Sequence, residues 1–305
     1  MSEKTLYKIS NNKINEIRIL SDDEVNLILK NSSDLIDFQK HHALIEYVIL
    51  NYKALSDIFI KKVTTIKSTE VSALIYPFSN YYLESSAAVL NFLSSARTFL
   101  DHTGTNLKRS FTDNTEPLAC FKKITANEFD SKFSYRFMGK LRNYVQHCGM
   151  PPLSYNLSNS YDHDKSIAES ELTVFFSRDQ LLKNYDSWGK NVEPQLKEQP
   201  ESFPAFPLLN EFVYSLIKIY IEITDGYYFD NAKLAEDFLL RMIGENHGYQ
   251  ESEYIFGTIT PYQETLSINT STIPTSLFSK VHHFEVLKDL IKKRSADAYF
   301  QIEDL

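Results

Sequence analysis

Cysteine and glycine are scarce in this sequence, and their scarcity excludes several classes of protein. The 305 residues include two cysteines and eight glycines. Cys120 and Cys148 form no CxxC pair, so the chain has neither a disulfide framework nor a zinc signature. It also has no glycine-rich phosphate loop, no GxSxG elbow and no HExxH motif. Kinase, serine-hydrolase and zinc-protease chemistry of the familiar kinds is set aside, and no metal or cofactor is expected.

Long hydrophobic runs are also missing. No apolar stretch approaches the roughly 18 residues of a membrane span. The opening segment, MSEKTLYKISNNK, lacks the apolar core of a signal peptide. The sequence therefore predicts a cytoplasmic protein with no membrane partner. Tyrosine and phenylalanine are plentiful, at 19 and 21 residues, and the chain is long enough for a substantial core.

Positive charge is in the minority but is locally concentrated. The chain has 32 Lys and Arg against 40 Asp and Glu, a formal net charge of −8. This balance argues against a protein that coats nucleic acid through a general positive field. Between Arg97 and His147, however, nine basic residues stand against five acidic ones, so this zone carries +4 and the remainder −12. Such a zone suits a site for an anion, although chance clustering also produces it.

Glycine and proline divide the chain into a few long segments with helical periodicity. Ser21, followed by three acids and a valine up to Val25, predicts one helix start, and a second helix is expected from Ser33 towards Ile66. A third is expected from about Glu70 to His102, followed by a loop. The sequence predicts an all-α fold, a helical bundle with minor β or irregular elements at the N-terminus, around 172–176 and in the C-terminal 60 residues. The expected organisation is an extension at 1–32, a bundle at 33–243 and a second extension at 244–305.

The segment from Ser131 to Cys148 has the cleanest periodicity in the chain. An apolar stripe recurs at three- and four-residue steps: Phe133, Phe137, Leu141, Tyr144, Val145 and Cys148. Gly149 stands where a helix C-terminal cap is wanted, and prolines at 151 and 152 forbid continuation. This is the best-bounded helix that the sequence predicts.

The polar side of this helix carries a set of residues suited to RNA chemistry. Arg142, Asn143, Gln146 and His147 share an arc of about 140° over the last turn and a half. An arginine offers a planar fork of donors to a phosphate, and a histidine can move a proton near neutral pH. An asparagine can hold a ligand oxygen or orient the histidine. Together these residue types suit metal-independent cleavage, in which a base activates the ribose 2′-OH and a cation stabilises the phosphorane.

The hexapeptide RNYVQH at 142–147, near a helix end in a helical chain, resembles the R-x4–6-H motif of the HEPN superfamily. In that family a polar residue often follows the arginine directly. The resemblance implies an endoribonuclease that cuts single-stranded RNA without metal and leaves a 2′,3′-cyclic phosphate. Arg142 would contact the scissile phosphate, His147 would be the acid and base, and Asn143 would support the site. It also implies a homodimer in prokaryotic defence or a toxin–antitoxin system, with an antitoxin or regulatory protein as a further partner.

Further polar residues are candidates for supporting the site or binding RNA. Gln146, Lys140 and Arg136 lie on or beside the same side of the helix. Arg97 and Asp101 lie on the polar side of the preceding long helix and would line the same cleft if the two helices pack together. Alternatively, Arg97 and Asp101, four residues apart, form an ordinary intrahelical ion pair.

The arginine–histidine spacing by itself is weak evidence, because this chain contains it three times. Arg97–His102 and Arg241–His247 also fit. The copy at 142–147 differs in having asparagine after the arginine and a helix that ends just beyond the histidine. Two alternatives stay open. The arc is an ordinary solvated helix end, where a histidine meets the helix dipole, or the domain is a non-catalytic HEPN-like scaffold that binds RNA or a partner.

Overall fold

The computed structural model describes residues 3–11, 13–59, 62–65, 81–162, 167–244, 252–262 and 265–293. The helices are α1 Asp22–Phe59, α2 Tyr81–Ser110, α3 Glu116–Ser131, α4 Phe133–His147, α5 Arg178–Asn184, α6 Glu193–Glu198, α7 Ala205–Tyr227, α8 Phe229–Ile243 and α9 Phe278–Lys293. The strands are β1 Lys4–Ser10, β2 Lys13–Leu20, β3 Lys62–Thr65, β4 Leu153–Asp162, β5 Ile167–Ser177, β6 Ser202–Pro204, β7 Glu253–Tyr262 and β8 Thr265–Ile273.

The strands form two antiparallel sheets, so the prediction of an all-α fold is wrong. One sheet has the order β2-β1-β7-β8, and the other has the order β3-β5-β4 with β6 also paired to β5. The extended pieces expected near the N-terminus, around 172–176 and in the last sixty residues are parts of these sheets and not minor elements. The fold is mixed, with a helical majority among the described residues.

The β4–β5 pair shows why the sequence does not predict an extensive sheet in this region. Its first strand, LSYNLSNSYD, is rich in serine and asparagine, which are typical of loops. Apolar residues nevertheless alternate with polar ones from Leu153 to Leu157, and this period of two is the signal of a strand. The strand pairs with β5 along its whole length, from Leu153 opposite Phe176 to Asp162 opposite Ile167.

The chain divides into two compact units. Unit 1 comprises Met1–Ala43 and Ile221–Asp289, and unit 2 comprises Leu44–Tyr220 and Leu290–Leu305. Unit 1 contains the β2-β1-β7-β8 sheet with α8 and most of α9, while unit 2 contains α2 to α6 and the second sheet. Helices α1 and α7 contribute residues to both. The three-part organisation expected from the sequence stays a prediction.

Helix α1 is a single helix of 38 residues, where the sequence predicted two. Its start is as expected: Ser21 Oγ accepts a hydrogen bond from the Glu24 N–H at 3.2 Å, and Glu24 accepts one from the Ser21 N–H at 2.9 Å. The predicted second start at Ser33 is not a boundary. No glycine or proline lies between Asp22 and Phe59, so nothing in the backbone chemistry forces a break there.

Helix α2 continues to Ser110, beyond its predicted end at His102. Gly104 lies in this extension. A Cβ atom there would lie 3.3 Å from the ring of Phe121 in α3, which is tighter than ordinary contact. The glycine therefore does not stop the helix and instead allows α3 to approach closely. Pro77, where a kink was expected, lies outside the described residues.

Helix α4 is confirmed within the ordinary uncertainty of helix ends. Its apolar stripe packs into the core of unit 2, where Phe137 stacks on Trp188 at 5.6 Å and meets Phe176 edge-on at 5.5 Å. Cys148, expected in the stripe, is exposed. The helix ends at His147, where the Cys148 N–H still bonds to the Tyr144 carbonyl and Gly149 has φ +110°. Burial of large aromatic side chains, about 2–3 kcal/mol each, fixes the helix and leaves its polar side free.

Candidate functional site

Helices α2, α3 and α4 of unit 2 enclose a cleft of about 590 Å³. Its floor is apolar and largely aromatic, made by residues that include Phe121, Phe129, Tyr135 and Phe212. Basic side chains surround this floor: Arg97, Lys122, Arg136, Lys140 and Arg142. The carboxylates among the lining residues are Asp101 and Asp130. The cleft thus combines a surface for flat apolar groups with an excess of positive charge.

Six of the eight residues predicted for the site line this cleft. They are Arg97, Asp101, Arg136, Lys140, Arg142 and Asn143. Gln146 and His147 do not line it and are exposed at the end of α4. The structure therefore brings together the two helices that the sequence could relate only by assumption.

Arg142 is the lining arginine whose guanidinium is least engaged. Its side chain is half-buried, and Nη1 makes one long hydrogen bond, 3.4 Å, to Oδ1 of the neighbouring Asn143. Its buried Nε has no hydrogen-bond partner within the described parts of the chain. Buried donors are usually satisfied in folded proteins, and this one faces a cleft in which a ligand could reach it.

Arg136, in contrast, is buried and used to hold the walls together. Nη1 donates to the backbone carbonyls of Phe129 and, at 2.9 Å, Asp130, both near the end of α3. Nη2 donates to Oε1 of Gln195 in α6 at 2.7 Å. Its buried Nε, like that of Arg142, has no hydrogen-bond partner among the described residues. Both of its terminal nitrogens are engaged by the protein, however, so this residue positions α4 against α3 and α6.

Two other cations of the cleft also have partners. Lys140 Nζ donates to the Ser187 carbonyl at 3.0 Å. Arg97 Nε donates to Asp101 Oδ2 at 2.7 Å, and both side chains are about half exposed, at 55% and 52%. The intrahelical pair considered from the sequence is thus present, and its two members line the cleft as well.

His147 lies at the rim of the cleft. It follows Asn143 by four residues, so the two side chains lie on one face of α4, separated by one helical turn of about 5.4 Å. Asn143 lines the cleft and His147 does not. A ligand confined to the cleft would end at Asn143, whereas an extended ligand leaving along α4 would pass His147.

Tyr135 contributes a hydroxyl-bearing ring to the floor. Burial raises its pKa well above the usual range, the nearby Glu128 carboxylate raises it further, and Arg97 lowers it. The phenol therefore stays neutral at physiological pH. It can donate or accept a hydrogen bond but is not a general base.

A buried carboxylate, Glu128, holds α3 in place behind the cleft. Lys132 and Lys218 each bring Nζ to 2.8 Å from its oxygens, and Lys132 also donates to Ser215 at 3.0 Å. Burial by itself would raise the pKa of Glu128, but the hydrogen bonds from its lysine neighbours outweigh burial and lower it. The cluster joins α3 to α7 within unit 2.

Unit 1 contains a group of histidines that the sequence did not identify as a cluster. His41 Nε2 lies 2.9 Å from Thr224 Oγ1 and its ring stacks on Tyr228, while His42 Nε2 lies 3.0 Å from His283 Nδ1. Burial lowers the pKa of His41 to about 4; burial, then the charge of His283, lowers that of His42 to about 3. The sequence showed only neighbouring pairs, because α1 and α9 lie far apart along the chain.

A scan against protein-family models, a search of curated proteins and a search of solved structures found no match to this chain. Among the described residues, no helix combines the length and the apolarity that crossing a lipid bilayer requires. The proposed function therefore rests on the residues and contacts of the cleft.

Proposed function

We propose that this protein is a metal-independent endoribonuclease of the HEPN type, which binds single-stranded RNA in the cleft and cuts it at the end of α4. The observation that carries the proposal is Arg142. It lines an aromatic-floored cleft, it has no carboxylate partner among the described residues, and its buried Nε is unpaired. A guanidinium of this kind suits a phosphate, which can accept two parallel hydrogen bonds.

The chemistry follows from the residue types at this helix end. His147 takes the proton of a ribose 2′-OH, and the 2′-oxygen attacks the adjacent phosphorus. The bond from phosphorus to the 5′-oxygen breaks, and that oxygen takes up a proton from water or from the second subunit of a homodimer. The products are a 2′,3′-cyclic phosphate and a 5′-OH. Arg142 stabilises the charge that develops on the non-bridging oxygens, and Asn143 orients the strand or the histidine.

The composition of the cleft supports RNA as the ligand. Aromatic rings accept stacked bases regardless of sequence, and cations follow the phosphates. The chain as a whole carries −8, so the affinity would come from this cleft and not from a general positive field. A homodimer, in which two such helix ends meet, belongs to the proposal, as does a role in prokaryotic defence or as a toxin with its antitoxin.

A second candidate function is a non-catalytic scaffold that binds RNA or a partner. The observation that favours it is the position of His147, which lies outside the residues that line the cleft. In this case Arg142 and the aromatic floor still bind RNA, but no strand is cut.

The distinguishing experiment compares two exposed histidines, each five positions after an arginine. We expect His147→Ala to lower the rate of RNA cleavage by about 100- to 10,000-fold, because proton transfer is lost. His102→Ala, on α2, should leave it unchanged. The measurement is cleavage of a labelled single-stranded RNA in the presence of a chelator, with the 2′,3′-cyclic end identified by mass spectrometry.

Three outcomes separate the candidates. Cleavage lost only in His147→Ala supports the nuclease. Equal cleavage by the wild type and His147→Ala would sink the assignment of His147. Tight RNA binding without cleavage by the wild type supports the scaffold. The same variants expressed in bacteria report on the toxin role, since only the wild type and His102→Ala should arrest growth.

A further inference from the structure

A second cavity, of about 950 Å³, adjoins the cleft at the C-terminal end of α2. It is enclosed by the last turns of α2 and the first turns of α3. The two cavities share four lining residues: Leu100, Asp101, Phe121 and Lys122. Because the same side chains border both spaces, the cavities are adjacent, and we call the two together the α3 groove.

Helix α3 lines the α3 groove along its length. Side chains on one of its faces, from Leu118 to Asp130, border one or both cavities. Twelve residue steps along a helix correspond to about 18 Å. At a spacing of about 3.4 Å per stacked nucleotide, this length accommodates about five nucleotides. Arg142 and Asn143 line the first cavity and not the second.

The second cavity carries basic residues that nothing in the described chain neutralises. Lys108, Arg109 and Lys122 line it, and none of their side chains has a hydrogen bond or ion pair with another described residue. Lys108 and Arg109 occupy the last turn of α2, where cations also favour the helix dipole. That explanation does not extend to Lys122, which lies inside α3 and borders both cavities.

The floor between these cations is apolar. Leu100, Leu118 and Phe121 line it, and Gly104 lets the α2 backbone pack closely against the Phe121 ring. A double helix hides the faces of its bases, whereas a single strand can turn its bases towards an apolar floor while its phosphates meet the cations. The combination therefore favours a single strand.

We propose that the second cavity is a phosphate-binding subsite for the continuing strand, so that the α3 groove holds about five consecutive nucleotides of single-stranded RNA. The inference rests on the proposed function, in that the cleft around Arg142 takes RNA. It adds a requirement for substrate length and assigns Lys108, Arg109 and Lys122 to phosphates of the strand that continues into the second cavity.

The test uses adjacent lysines as matched variants. Lys122→Glu and Lys123→Glu change the net charge equally, and both side chains are exposed, but only Lys122 lines the groove. Binding of 2′-O-methyl oligouridines of two, five and ten nucleotides, which cannot be cut, is measured by fluorescence anisotropy with the full chain. We expect wild-type affinity to rise steeply from two to five nucleotides and then to level off.

Lys122→Glu should weaken binding of the ten-nucleotide RNA and hardly affect binding of the dinucleotide. Lys123→Glu should change the binding of neither RNA. The slope of log affinity against log salt should fall by about 0.7 for each phosphate contact removed. Lys108→Glu with Arg109→Glu provides a second variant of the same subsite, in case Lys122→Glu fails to fold by circular dichroism.

Failure of the subsite and failure of the proposed function are distinguishable. Equal weakening by Lys122→Glu and Lys123→Glu, affinity independent of length, or a duplex bound as tightly as the single strand would each overturn the subsite. Length-dependent binding with no cleavage of an unmodified ten-mer would overturn the nuclease while leaving the subsite in place.

Discussion

Two helices of unit 2 carry an arginine and a histidine at the same spacing, and the two copies differ in their surroundings. Arg97 and Arg142 both line the cleft, and His102 and His147 are both exposed. Arg97, however, holds the carboxylate of Asp101 at 2.7 Å, whereas the guanidinium of Arg142 makes one long hydrogen bond, to Asn143, among the described residues. Helix α2 continues to Ser110 past its histidine, while α4 ends at His147.

Spacing therefore does not distinguish the two arginines, whereas their partners do. A phosphate that approaches Arg97 must compete with a carboxylate already in place. A phosphate that approaches Arg142 meets donors that no carboxylate occupies. The end of α4 also leaves room for a strand to leave the cleft beside His147, which a continuing helix would obstruct.

The strongest test of this comparison removes each arginine in turn. We expect Arg142→Ala to lower the RNA cleavage rate by about 100- to 1,000-fold, because a donor to the developing phosphorane charge is lost. Arg97→Ala should lower it by less than about tenfold, since its charge is already balanced by Asp101. Single-turnover cleavage of the same labelled RNA provides the measurement. Equal losses in the two variants would remove the distinction between the helices.

Arg136 allows the arginines of the cleft to be compared in their contribution to stability. Arg136→Ala leaves two backbone carbonyls and the Gln195 side chain without their donor, so we expect the free energy of unfolding to fall by about 1–3 kcal/mol. Arg97→Ala, which removes a half-exposed ion pair, should change it by less than about 1 kcal/mol. Urea denaturation followed by circular dichroism measures both. A larger loss for Arg97→Ala would mean that the walls of the cleft are held together differently.

The smallest expected effect comes from removing the carboxylate partner of Arg97 on α2, so that its surroundings resemble those of Arg142 on α4. Asp101→Asn releases Arg97 from its carboxylate, so RNA binding should strengthen and the salt slope should rise by about 0.7, one added phosphate contact. Stability should fall by only a few tenths of a kcal/mol. Asp113→Asn, an exposed acid that lines neither cavity, is the control. If both variants strengthen binding alike, net charge and not the pairing of Arg97 is responsible.

Local chemistry made some of the structure predictable. The stripe of α4, its end at Gly149 and the start of α1 at Ser21 depend on neighbours in sequence, and these features are confirmed. The strand β4 is also encoded locally, in the alternation from Leu153 to Leu157, but its serine and asparagine residues are typical of loops and obscure that signal.

The distribution of roles within the cleft was not predictable. Arg136, Lys140 and Arg142 all lie on the polar side of one helix, and their sequence neighbours do not reveal which of them is free. Gln195 and Ser187, which engage Arg136 and Lys140, come from segments about fifty residues further along the chain. Only the tertiary arrangement separates the arginine that holds the walls from the arginine that is open to a ligand.

The buried histidines of unit 1 make the folded state less stable at acidic pH. The pKa of His41 is about 4 and that of His42 about 3, against an ordinary value of 6.5. As the pH falls from 6.5 towards these values, the two histidines take up protons in the unfolded chain but stay neutral in the folded chain. The free energy of unfolding therefore decreases, by about 1.4 kcal/mol for each unit of pKa difference. Above pH 6.5 both states hold neutral rings and this contribution vanishes. Acidification therefore weakens unit 1 through groups that take no part in the cleft.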